Sequence, residues 1–183
     1  MMMLRSKRLL SVWDRHSYSN EKRPTKKPID GLFIYNSLFS VAAFASRTET
    51  TVSKKLAAVT ADKLLLKLRS CRDAINKERQ HLLFQIGDVS LNPAADIPMV
   101  EVKIDTHRYA PVTVMLIKTF QAYDHYFHTL HLAKMNGELT DTEQQVCRKQ
   151  AINGLNTLLH DLNRSCLSFH RVRKEQEQKT CPN

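Results

Sequence analysis

Between residues 56 and 86, branched apolar side chains return at intervals of three and four: Leu56, Val59, Leu64, Leu65, Leu68, Ile75, Leu82, Leu83 and Ile86. This is the period of an amphipathic helix, and neither proline nor glycine interrupts it until Gly87, the expected C-terminal stop. The opposite face (Lys63, Lys67, Arg69, Arg72, Asp73, Lys77, Glu78, Arg79) reads as solvated. A second helix is predicted over residues 111–136. Pro111 suits a first turn, Val112, Met115, Leu116, Phe120, Tyr123, Phe127 and Leu130 trace one face, and Asn136-Gly137 ends it. Thr140-Asp-Thr-Glu143 is a capping-box pattern, in which hydroxyl and carboxylate each satisfy the other residue's backbone amide. It opens a last helix with a stripe of Val146, Cys147, Ile152, Leu155, Leu158, Leu159, Leu162, Cys166 and Phe169. Gly154 interrupts that helix and marks either a close approach between helices, the favoured expectation, or a bend.

Two segments read differently. Residues 31–46 are apolar and aromatic without a decisive period, and fit either a strand running into a helix or one buried helix. In residues 99–105, Val100, Val102 and Ile104 alternate with Glu101, Lys103 and Asp105, the pattern of a half-buried strand. A lone strand leaves its backbone groups unpaired, so a partner is required. The two expected candidates are residues 32–35 and the same strand of a second subunit. The predicted fold is therefore mainly α with a short β element: a ribbon-helix-helix-like core with an additional long helix and basic terminal extensions.

Charge changes the picture at the ends. The chain has 183 residues, 28 Lys+Arg against 18 Asp+Glu, and a net charge of +10. Residues 1–30 hold eight basic side chains (Arg5, Lys7, Arg8, Arg15, Lys22, Arg23, Lys26, Lys27) against three acidic ones. Residues 164–183 hold five, among them Arg171, Arg173 and Lys174, against two. The division expected is a basic N-terminal arm at 1–30, a helical core at 31–172 that includes the strand and helix-turn-helix at 98–143, and a polar tail at 173–183. An extended linker at 23–28 and a loop at 88–98 are marked by their prolines. Basic ends around a near-neutral body point to a polyanion, with a solvated disordered tail as the equal alternative for the N-terminal one. The four cysteines lack CxxC spacing, and no apolar run approaches the roughly 20 residues that span a bilayer. A reducing cytoplasm, with no membrane association, is the expected setting; the alternative is a short basic amphipathic helix on a membrane surface, built on Leu4, Leu9, Leu10, Val12 and Trp13.

Catalytic patterns are missing. Four glycines leave no GxGxxG and no phosphate-cradling loop, and neither GxSxG nor HExxH occurs. No enzymatic activity, cofactor, metal or small-molecule substrate is expected. His125, His128 and His131 drift around a helix by about 60° per step, which is awkward for one shared ion. Double-stranded DNA offers a better fit. A ribbon formed by twofold pairing would project Glu101, Lys103 and Asp105 into a major groove, with Lys103 on guanine and an acid on a cytosine amino group. The capped helix start at Thr140 and Thr142 supplies free amides for a phosphate. The basic ends would add contacts that weaken steeply with salt.

The run 114–130, with Tyr123-Asp124 at its centre, is followed by the Gly137-Glu-Leu139 turn and a long closing helix. Together these resemble the AcaB-type transcriptional regulators of conjugative plasmids and integrating conjugative elements, over about residues 30–170. The resemblance implies a bacterial, nucleoid-associated homodimer that binds promoter DNA sequence-specifically through a ribbon-helix-helix motif and activates conjugative transfer genes. Carried over, residues 99–105 are the ribbon, 111–136 the first helix and 140 onward the second. This chain departs from the pattern in its longer gap at 106–110, a first helix about twice the usual length, and two acids among three outward ribbon positions. The alternative is an interaction or structural protein of such an element that does not touch DNA. RNA binding has less support, because the aromatics fall on helical stripes instead of a sheet face.

Overall fold

The strand expected at 99–105 has its partner at the beginning of the chain. In the computed structural model, which describes residues 2–19, 28–87 and 97–180, Met2–Leu4 (β1) and Val100–Val102 (β2) form an antiparallel pair. Met2 lies opposite Val102, Met3 opposite Glu101 and Leu4 opposite Val100. This corrects both partners expected from the pattern. Residues 32–35 lie inside a helix, and no second subunit is needed to satisfy the strand. The reason is apolar complementarity: Met2, Leu4 and Val102 are almost wholly buried, and β1 packs on the helix that follows β2.

The N-terminal segment is consequently part of the core and no free arm. Lys7–Trp13 (α1) and Arg15–Tyr18 (α2) follow β1, and α1 buries Leu9, Leu10, Val12 and Trp13 while Lys7 and Arg8 stay exposed. The apolar positions Leu9, Leu10, Val12 and Trp13 form the inner face of a short helix, and they cover the core of this chain. The expected linker at 23–28 falls, up to Lys27, outside the described residues, as do Lys22, Arg23, Lys26 and most of the loop at 88–98.

Gly31–Ala45 (α3) is one buried helix. Asp30 starts it, accepting the Phe33 N–H at 2.9 Å. Gly31 is required by contact: a Cβ there would stand 2.6 Å from Trp13 Cε3 and 2.8 Å from Phe120 Cζ. Trp13 and Phe120 meet edge-on at 4.9 Å, an arrangement worth about 0.5–1.5 kcal/mol beyond area burial.

Val52–Ile86 (α4), Pro111–Met135 (α5) and Asp141–Thr180 (α6) complete a four-helix body. α4 stops at Gly87 as its pattern requires, but its buried seam is narrower than expected. Ala57, Leu64, Leu68, Ile75 and Leu82 are buried, whereas Val59 and Leu83 are exposed. The helix packs along a seam of four- and seven-residue spacing, close to that of a coiled coil. α4 and α5 run the same way, since Leu68 meets Thr119, Cys71 meets Tyr123 and Arg79 meets Thr129 in rising order. α6 runs opposite to both, with Lys67 on Asp161 and Arg148 on the Phe127 carbonyl. The parallel pair needs a long crossover, and β2 lies in it, followed by a 3-10 turn at Thr106–Arg108.

α5 is buried on almost every side, which is why its apolar and aromatic content is so high. Its C-terminus closes as expected. Gly137 takes φ 81°, a conformation that disfavours other residues, and the Glu138 N–H returns to the Ala133 carbonyl at 2.9 Å. The capping box of α6 is present: Thr140 N–H donates to Glu143 Oε2 at 2.7 Å and Glu143 N–H to Thr140 Oγ1 at 3.2 Å. Two expectations for α6 are corrected. It continues helical through Thr180, because no proline intervenes before Pro182 and Arg173 pairs with Glu177 one turn on. Gly154 is exposed, and the nearest atom to a Cβ there is Tyr123 Oη at 3.9 Å, so no close helix approach requires it.

Candidate nucleic-acid interface

The ribbon does not collect the side chains expected to read DNA. Glu101 is exposed opposite Met3, and Lys103 is exposed just beyond the end of β2. Asp105 is committed locally: it caps the 3-10 turn by accepting the His107 N–H at 3.0 Å, and it pairs with Arg108 at 3.0 Å. With Val100 also 38% exposed, the strand's inward set reduces to Val102 and the half-buried Ile104. The strand ends at Val102, so of the three outward residues only Glu101 lies on the ribbon, with Lys103 and Asp105 beyond it.

The start of α6 is also poorly suited to a phosphate. Thr140 bonds to Glu143 through both its amide and its hydroxyl, which holds the Glu143 carboxyl below its ordinary range. Asp141 pairs with Lys134, and Thr142 is exposed between the two acids. At the other end of α6, Arg173 is withdrawn from solvent: its guanidinium lies 4.5 Å over the Phe44 ring and bonds both Glu177 oxygens at 2.7 Å. Arg171 and Lys174 are exposed there.

Basic groups do converge elsewhere, on the one strip of α5 that reaches solvent. Lys118, Gln121, His125, His128 and Leu132 follow each other at three- and four-residue steps, exposed or half-buried, on a helix otherwise covered. From the N-terminal side comes Arg5. Its backbone N–H and that of Ser6 donate to Asp124 Oδ1 at 2.8 and 2.9 Å, and its guanidinium reaches Oδ2 at 3.3 Å. From α4 comes Arg79, whose Nε donates to Thr129 Oγ1 at 3.3 Å. Arg72, about two turns before it, donates to Met115 Sδ and is partly offset by Asp73.

These groups lie near enough to perturb one another's titration. The His125 pKa is lowered first by burial, then by Arg79, with Arg5 adding to the effect and Asp124 opposing it. That of His128 is lowered by burial, then by Arg5 and His131, again against Asp124. Arg5 thus acts on both imidazoles, and Arg79, from α4, on His125. The acid among them, Asp124, is only 1% exposed and lies beneath Arg5. The His128 Nδ1 is buried without a hydrogen-bond partner among the described residues. Lys118 to His128 covers about 15 Å of helix, the axial rise of about four base pairs of DNA.

Of the residues expected from the sequence, only Arg5 belongs to this strip by contact; Lys7 and Arg8 follow it in the exposed first turn of α1, and Arg15 is exposed in α2. Lys118, Arg79, His125 and His128 were not in the expected set. The signal for Lys118, His125 and His128 was present as the polar break, at helical spacing, in the otherwise apolar pattern of residues 112–133.

Among the described residues, no helix is long and apolar enough to cross a membrane, and no group of three or more His, Cys, Asp or Glu side chains is arranged to hold a metal ion. Compared with protein-family models, curated proteins and solved structures, the chain matches none.

Proposed function

We propose that this protein binds double-stranded DNA, chiefly through the phosphate backbone, along the α5 strip. The observation that carries the reading is the convergence of Arg5 and Arg79, from opposite flanks, on His125, with Lys118 on the same helix face. The net charge of +10 supports it by attracting any polyanion at long range. Sequence preference falls to Lys103, the one outward basic side chain of the strand segment. The resemblance adds promoter DNA of conjugative transfer genes as target, a homodimer as binding form, activation as outcome and the bacterial cytoplasm as setting. Catalysis and cofactors have no part in this reading.

A salt titration of duplex binding by the full chain tests it. Each phosphate contact contributes about 0.9 to the slope of log K against log salt, so a strip holding three or four phosphates gives a slope of about −3. An absence of binding at low salt for every duplex overturns the proposal.

A further inference from the structure

We propose that the groove between α4 and α6 binds a monomeric amphiphile with one anionic head and an apolar tail. The groove has a volume of about 390 Å³, within the range of small-molecule sites. Its two walls run in opposite directions, and Lys67 meets Asp161 across it. Eleven residues back along α4 and eleven forward along α6, Leu56 therefore stands level with Val172. The groove thus extends about 16 Å from a charged end to an apolar one.

The charged end is already arranged around a carboxylate. Lys67 Nζ donates to Asp161 Oδ2 at 2.6 Å, and Arg164 engages Oδ1 of the same group. An ammonium from α4 and a guanidinium from α6 so converge on one anion, and together they hold the Asp161 carboxyl below its ordinary range. Lys63, exposed one turn before Lys67 on the same wall, adds a third positive charge, so that Asp161 offsets one of three. The Thr60 and Ser165 hydroxyls donate to their own helices, to the Leu56 carbonyl at 2.8 Å and the Asp161 carbonyl at 3.1 Å. The charged groups are therefore the strong donors for a ligand head. Away from that end the lining turns apolar. Leu64 and Phe169 are buried beneath it, with Phe169 held edge-on against Phe44 of α3 at 5.7 Å, while half-buried Leu56 and Val172 keep surface for a tail. An inorganic anion would leave that surface in water, and a neutral apolar molecule would leave the excess cations without a counter-charge. An anionic amphiphile satisfies both ends.

The test is dansyl fluorescence of a dansylated undecanoic acid with the full-length chain at physiological ionic strength. Saturable binding of one probe per chain is expected. Decanoate should displace the probe, whereas decyltrimethylammonium and inorganic phosphate should not. Lys63→Glu, at an exposed helix position, should weaken binding by about fivefold or more. Val172→Glu sets a charge where the tail lies and should weaken it by about tenfold or more. Absence of saturable binding, wild-type affinity in both variants, or displacement by the cation or by phosphate as effective as that by decanoate would each overturn the proposal. Sedimentation with phosphatidylglycerol vesicles that Lys63→Glu abolishes would assign the groove to a lipid surface, and displacement of the probe by a short duplex would make it part of the DNA surface; either result also overturns it. Arg5, Arg79, Lys118 and His125 lie outside this groove, so a failure here leaves duplex binding by Lys118 variants to be judged separately.

Discussion

Asp124, midway along α5, accepts the backbone amides of both Arg5 and Ser6, at 2.8 and 2.9 Å, from a position only 1% exposed. This tie holds the end of β1 against α5 and sets the Arg5 side chain beside His125 and His128. It therefore joins stability and the proposed interface in one contact.

Removing the carboxylate should cost far more than removing its cationic partner. Asp124→Ala strands two buried amides at about 1–3 kcal/mol each and should lower stability by about 3–5 kcal/mol. Arg5→Ala leaves both amide bonds in place and loses one 3.3 Å contact from a side chain that is 22% exposed, so about 1.5 kcal/mol is expected. Urea denaturation of the two variants measures the difference. Equal losses would mean that the guanidinium, and not the backbone tie, anchors β1.

The two helical glycines should respond in opposite directions to alanine. Gly31→Ala drives a methyl to 2.6 Å from the Trp13 ring and should destabilise by about 1–3 kcal/mol, with a shift in the fluorescence of this single tryptophan. Gly154→Ala meets nothing nearer than 3.9 Å on an exposed helix interior, and should stabilise by up to about 1 kcal/mol. Thermal unfolding distinguishes them, and destabilisation by Gly154→Ala would restore the close helix contact expected from the sequence.

Acidification should weaken the fold and strengthen DNA binding at once. His125, His128 and His170 all have pKa values below the ordinary 6.5 in the folded state. The unfolded chain therefore takes up these protons first, and stability present above pH 6.5 is lost as pH falls through that value toward the folded pKa values. Asp30 works the other way, since burial raises its carboxyl above 3.8, but its contribution develops at lower pH. Protonated His125 and His128 meanwhile add charge to the strip. Between pH 7.5 and 6.0, urea midpoints should decrease while duplex affinity increases. His125→Gln/His128→Gln should remove the gain in affinity, and a gain that persists would place the titrating groups elsewhere.

Local rules made much of the helical body legible. The Thr140 and Glu143 cap, the Gly87 and Gly137 stops and the Pro111 start each depend on a few adjacent residues, and each is found where its chemistry puts it. What escaped was long-range. That Met2–Leu4 pairs with Val100–Val102 depends on residues about a hundred positions apart, and neither segment alone names the other. The apolar positions Leu4, Leu9, Leu10, Val12 and Trp13 were legible as one apolar face, but what covers that face, the body of this chain and not a membrane, depends on residues far along the sequence. For the candidate site, Lys118 and His125 were visible only as interruptions of an apolar stripe. Their meaning depends on Arg5 and Arg79 arriving from elsewhere in the chain.

The central claim, that DNA lies on the α5 strip, is tested most directly by comparing Lys118→Glu with Lys103→Glu in a fluorescence anisotropy assay against one duplex at several salt concentrations. Both side chains are exposed, so neither change should disturb the fold. The account expects Lys118→Glu to weaken binding to all duplexes alike and to reduce the salt slope by about 1, while Lys103→Glu alters the ranking among sequences and leaves most of the slope intact. A Lys118→Glu protein with the wild-type slope and affinity would contradict it.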